Sequence, residues 1–288
     1  MAALDVATLI IYLALAGPSL FVWWKHGRKG FLGWFYIHMF CGIRIVSSAV
    51  TLVNEKQHNI SVKVLLIISS IGLSPLLLAC AGILHEARRA RNPKVNNKLE
   101  WFLQINFHVI VGAAINLIII ALNKVENDHT DPAKNTMLKI GYAVIAISWA
   151  ILFVWTLVSR LNQKNQATDD TARHGTMMLN AILICLPFFA VRVAYGALSL
   201  FLDNDGFKKS NVDKIIMSVV PEAIVAVVFL LVGFVSRNMW KIPRVSGSTE
   251  EIKPLYDSAT ENPYFYQRSG PPLLPYKIAL RPGAHYYK

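Results

Sequence analysis

The sequence predicts an all-α fold: a seven-transmembrane-helix bundle, N-terminus outside and C-terminus cytosolic, followed by a disordered C-terminal tail. Three observations carry this. Of 288 residues, 54% are hydrophobic and only 16% charged, against about 25% charged in globular domains. The apolar residues gather into seven runs, about 6–24, 31–54, 64–84, 101–122, 137–159, 175–202 and 214–236, each near the roughly 20 residues that cross about 30 Å of hydrocarbon. The basic residues crowd into alternate loops. A transmembrane domain over 1–240 and a tail over 241–288 leave no room for a soluble domain of ordinary size.

The first run follows Met1–Asp5, which carries no basic residue and so lacks the positive start of a cleaved signal peptide. Pro18 predicts a kink, and Trp23-Trp24 suits the membrane interface. Lys25–Gly30 reads as a tight basic loop. The second run begins near Trp34 and Tyr36 and holds Arg44 in its interior. The loop after it carries Asn59-Ile60-Ser61, an acceptor sequon for N-glycosylation at Asn59.

Ser74-Pro75 interrupts the third run, which exits into His85–Lys98, the most basic loop. The fourth run contains Gln104, Asn106, His108 and Asn116. A fifth run and a polar loop, Arg160–His174, lead to the sixth, which holds Pro187 and Arg192. The seventh holds Pro221-Glu222. The tail has seven of the 13 prolines, six of the 10 tyrosines and no membrane-length apolar run, a composition that favours disorder. The loops after runs one, three and five, with the residues just past run seven, hold 14 Lys and Arg, against seven on the other side. The richer side is cytoplasmic, in the plasma membrane or an endomembrane. The net charge of +12 therefore reads as loops facing anionic lipid and not as a nucleic-acid surface.

Arg44, Arg192 and Glu222 are charged groups deep inside apolar runs, where they are costly unless paired or useful. Arg44 and Arg192 each lie ten residues before the outer end of their runs, and Glu222 lies eight after the outer start of its own. At about 1.5 Å per residue, all three sit roughly 12–15 Å below the outer surface. One carboxylate between two guanidiniums leaves a positive surplus that suits a carboxylate or phosphate, which Arg grips bidentately. Ligand-binding candidates are Arg44, Arg192 and Glu222, with Tyr195, His108 and Asn116. Two other readings stand beside this pocket: Glu222 neutralises one Arg while the other bonds carbonyls freed near Pro221, or the arginines snorkel outward.

Ile43-Arg44-Ile45 and Val191-Arg192-Val193 are each followed about 30 residues later by an interrupting proline, Pro75 and Pro221, as in a parallel three-plus-one-plus-three repeat. Other chemistries find less support. Lys214 stands at the mouth of run seven, with no lysine inside it for a retinal Schiff base. Asp203-Asn204-Asp205-Gly206 begins like a calcium loop, but its twelfth position is Lys214 and not Glu. His108 has no second His at helical spacing, and Cys41, Cys80 and Cys185 all lie in apolar runs. No metal or cofactor is expected.

Gly27-Arg28 through Trp34, Gly42-Ile43-Arg44-Ile45, Gly72-Leu73-Ser74-Pro75-Leu76 and Val191-Arg192-Val193-Ala194-Tyr195 resemble a family of uncharacterised fungal seven-span membrane proteins, over about residues 5–238. The resemblance implies a multi-pass fold and a fungal source, and no activity. The leading functional expectation is binding or transport of a small polar or anionic ligand through the Arg/Arg/Glu layer, receptor-like or transporter-like. The rival is a membrane-embedded biosynthetic enzyme, of cyclase or isomerase type in fungal secondary metabolism, with Glu222 as acid and Trp149, Trp155 and Tyr195 lining its pocket. A third possibility is a scaffold whose tail holds a cytosolic partner.

Overall fold

The computed structural model describes residues 2–57, 72–92, 96–123, 132–161, 170–201 and 211–241. Asn59, the start of the third run and the tail beyond 241 lie outside the described residues. Every regular element described is helical: α1 (Ala2–Gln57), α2 (Leu73–Arg91), α3 (Asn97–Asn123), α4 (Pro132–Leu161), α5 (Asp170–Phe201) and α6 (Val220–Ser236). A four-residue turn (Asn211–Lys214) and a π-helical turn (Ile215–Val219) lead into α6, and a 3-10 turn (Met239–Lys241) follows it.

The expected loop at Lys25–Gly30 is a single-residue break. Gly27 takes φ 58 and ψ −149, a conformation open to glycine alone without strain. The break folds α1 back on itself. Tyr12 meets Phe40 with ring centroids 5.4 Å apart, Ser19 meets His38 at 2.9 Å, and Trp23 meets Phe35 at 5.3 Å. As one partner advances the other recedes, so the two limbs run antiparallel.

Helix α2 is the centre of the bundle. From Leu73 to Ala87 every residue is buried, against α1 on one side and α5 on the other. Small residues make the approach close. A Cβ added at Gly82 would strike the backbone of Gly33, the close backbone contact typical of helices packed in lipid. The outer helices show the opposite pattern, with Ile10, Leu13, Trp24, Val109, Val154 and Leu231 all exposed. An outer surface this apolar is a membrane-facing one. Among the described residues five helical stretches are long and apolar enough to cross a membrane, the last being α6 with its flanking turns, and α1, broken at Gly27, is the longest of them. The protein is an all-helical membrane bundle.

The basic segment His85–Lys98 is not a loop at its start. Helix α2 continues to Arg91, so His85, Glu86, Arg88 and Arg91 are helical and packed.

Candidate functional site

Pro221 sets the local geometry. It cannot donate a backbone hydrogen bond one turn back, and the backbone widens just before it, with Val220 N–H bonding the Ile215 carbonyl. Such π-turns recur at functional positions. The next residue is Glu222, 1% exposed and turned into the bundle. Its Oε1 accepts the Nε–H of Arg192 on α5 at 2.6 Å. Its Oε2 accepts an Nη2–H from Arg44 on the second limb of α1. Three elements distant in sequence therefore meet on one carboxylate. Arg44 and Arg192 are 9% and 7% exposed, so neither reaches outward to the interface.

Aromatic and glycine neighbours shape the site. The Arg44 guanidinium lies 5.7 Å from the Phe40 ring and that of Arg192 5.8 Å from the Tyr195 ring, cation–π contacts that favour a desolvated cation. Gly72 packs flat on Arg44; a Cβ there would come within 3.0 Å of Cζ. Tyr12, 1% exposed, stands edge-on to the same Phe40. Two buried polar atoms here have no partner among the described residues, Arg44 Nε and the Tyr12 hydroxyl. Buried groups of this kind call for an explanation, an unseen water or ion among them.

Of the other expected ligand-binding residues, Tyr195 joins this cluster through Arg192. His108 does not: its Nδ1 bonds the Gln104 carbonyl at 2.7 Å, and its ring packs on Tyr36 at 5.2 Å. Asn116 is exposed, and its amide bonds the Gly112 carbonyl one turn back at 3.0 Å. The helical period that turns Val111, Ala114 and Ile118 inward carries Asn116 to the outer face. The aromatic lining expected from Trp149 and Trp155 is dispersed. Trp149 bonds the Leu186 carbonyl at 3.0 Å, and Trp155 lies against Arg88. Gly72, Phe40 and Tyr12 are the neighbours that sequence reasoning missed. Tyr12 carried a usable signal, a hydroxyl inside the first apolar run on the same side of it as the charged layer.

A second polar network ties the opposite end of the bundle. Glu86 is fully buried. Its Oε1 meets His26 Nδ1 at 2.9 Å and accepts from Trp240 Nε1 at 2.8 Å. Its Oε2 accepts from Trp34 Nε1 at 2.7 Å. His26 Nε2 lies 3.0 Å from the Gly233 carbonyl. This network clasps the bend of α1, the last turns of α2 and the end of α6. Its two oxygens are both engaged, by two indoles and His26, which makes it a structural fastening. Among the described residues no group of three or more His, Cys, Asp or Glu could hold a metal ion. A groove of about 600 Å³ opens beside the Gly27 bend, lined by Leu20, Trp24, Arg28 and Phe31 among others, and does not include the Arg/Arg/Glu cluster.

A helical membrane bundle with a two-to-one guanidinium–carboxylate cluster is the class that fold and site define. The chain belongs to the family described as Domain of unknown function (DUF7702), which it matches over residues 2–239. No curated protein matches it. Among solved structures it is similar to the crystal structure of Exiguobacterium sibiricum rhodopsin, at 11% identity and a TM-score of 0.47, over 82% of this chain and 97% of that one. A likeness at that level has no bearing on what this chain binds or does.

Proposed function

We propose that this protein is a seven-span membrane protein, N-terminus outside, that binds a small anion at Arg44, Arg192 and Glu222, as a receptor or transporter does. The observation that carries the reading is the stoichiometry of the buried cluster. Two guanidiniums share one carboxylate, so one positive charge is left over where the dielectric is low. Arg44 Nε and the Tyr12 hydroxyl, each without a partner among the described residues, supply directed donors for a carboxylate or phosphate oxygen. An Arg fork matches either group, and Tyr195 and Phe40 give the site apolar walls. The span count rests on the seven apolar runs and the fold-back of α1 at Gly27. The orientation rests on the 14-to-seven split of basic residues, and it puts the cluster nearer the outer face.

The test is a panel of small carboxylates and phosphates at matched ionic strength. Thermal unfolding of the detergent-purified protein is compared with that of Arg192→Ala. At least one anion stabilises the wild type, and the response is lost in Arg192→Ala although the variant still inserts in the membrane. A variant that neither folds nor traffics, together with a wild type that responds to no anion, assigns the cluster to structure alone.

A further inference from the structure

The end of the bundle remote from Glu222 holds a second, separate arrangement. Helix α2 ends where α4 ends and α5 begins. The start of α5 lies flat on α2: a Cβ at Gly175 would meet the Ala87 carbonyl at 2.8 Å and Arg91 Cγ at 2.9 Å. The stem of Arg91 is thus buried against α5, and its Nη1 is anchored on the Ser159 carbonyl at 2.5 Å. Its other two nitrogens, Nε and Nη2, are buried without a partner among the described residues. These two form one edge of the guanidinium, the edge that grips two oxygens of one anion. One turn before Gly175, on the same face of α5, Thr171 is 1% exposed. Its hydroxyl also has no partner among the described residues.

Two other described arginines, Arg88 and Arg160, stand close to Arg91. Arg88 is taken by Glu100 at 2.6 Å and by the Ser159 hydroxyl at 3.1 Å. Arg160 bonds Asn180 at 3.0 Å and still repels Arg91, whose guanidinium is pulled below its ordinary value by burial first and by Arg160 second. An anion would relieve both. The N-terminus of α5 adds its dipole to the same spot. Asp170 is exposed in the first turn of that helix, next to Thr171.

We propose that Arg91 and Thr171, at the N-terminus of α5, form a phosphate-binding site distinct from the Arg44/Arg192/Glu222 cluster. Two phosphate oxygens take the Nε and Nη2 edge of Arg91 and a third takes the Thr171 hydroxyl. A tetrahedral group with three or more acceptor oxygens uses all three donors, which a planar carboxylate cannot. A phosphorylated lipid headgroup and a free phosphate share this chemistry, and the basic end of the bundle faces the leaflet or the solvent where either is found.

The experiment has two arms on the purified full-length chain. In detergent, thermal unfolding is followed against inorganic phosphate, with chloride at matched ionic strength. In nanodiscs, phosphatidylcholine is compared with phosphatidylcholine containing phosphatidylinositol 4-phosphate. Stabilisation in either arm that Arg91→Gln or Thr171→Val weakens supports the site and names its source. Arg91→Gln weakens the midpoint by about tenfold or more and Thr171→Val by about fivefold, the weight of charge-assisted bonds. Asp170→Asn tightens it. If Arg91→Gln fails to fold, Thr171→Val and Asp170→Asn carry the test with their opposite signs. A wild type that responds in neither arm overturns the proposal. So does a response unchanged by both Thr171→Val and Asp170→Asn, or one abolished only by Arg192→Ala.

Discussion

Arg192 donates its Nε–H to Oε1 of Glu222 across 2.6 Å, and Arg44 takes the second oxygen of the same carboxylate. This pair of contacts joins α5, α6 and the second limb of α1 at one buried point. The arrangement is a fastening and a surplus of charge at once, and the two roles separate under mutation.

Glu222→Gln leaves two buried guanidiniums without a counter-ion. Removing one partner of a buried ion pair costs about 3–5 kcal/mol, so the variant should unfold in detergent at a clearly lower denaturant midpoint. The triple variant Arg44→Met, Arg192→Met, Glu222→Leu removes every charge and should recover most of that loss. If the single variant is as stable as the wild type, the carboxylate is not holding the arginines.

Glu86→Gln tests the opposite end. The carboxylate receives two indole N–H groups and faces His26. An amide has one acceptor oxygen instead of two, so at least one indole is orphaned at a cost of about 1–3 kcal/mol. A lower thermal midpoint should accompany a shift in tryptophan emission as Trp240, in the 3-10 turn after α6, comes loose. An unchanged spectrum would mean that the fastening is not there in solution.

Gly82→Leu probes the seam between α2 and α1. There is no space for a side chain where Gly82 meets the Gly33 backbone, and overpacking costs about 1–3 kcal/mol or more. The same substitution at Gly17, whose Cβ direction is open, should be near neutral. Equal effects of the two on the unfolding midpoint would contradict the packing described.

The orientation is checked by epitope tags on the two ends. A C-terminal tag should be labelled only after the cell is permeabilised, and an N-terminal tag should lie across the membrane from it. Both tags on one face would require an even number of crossings and exclude seven spans.

The all-helical character and the apolar outer surface were legible because they follow from composition and run length. Helix rise was also enough to put Arg44, Arg192 and Glu222 at one level. Side-chain direction was not legible from depth, which is why His108 and Asn116 were grouped with them although α3 turns Asn116 to the outer face. Gly27 was read as part of a loop because basic residues surround it. One positive φ proved sufficient to reverse the chain. Glu86 was hidden in a segment dominated by arginines. Helix α2 is enclosed on all sides and so keeps polar residues helical and buried past its apolar run, a tertiary effect that no local pattern records. Arg91 meets Gly175 only because α5 packs on α2.

The proposed function requires a buried positive surplus that takes an anion. The measurement that bears on it most directly is anion affinity, by isothermal titration, in Glu222→Gln beside Arg192→Gln. For an anion that stabilises the wild type, removing the competing carboxylate should tighten binding by about tenfold, and removing a guanidinium should weaken it by at least about tenfold. Affinities that move in the same direction, or a wild type that binds none of the anions, would contradict it.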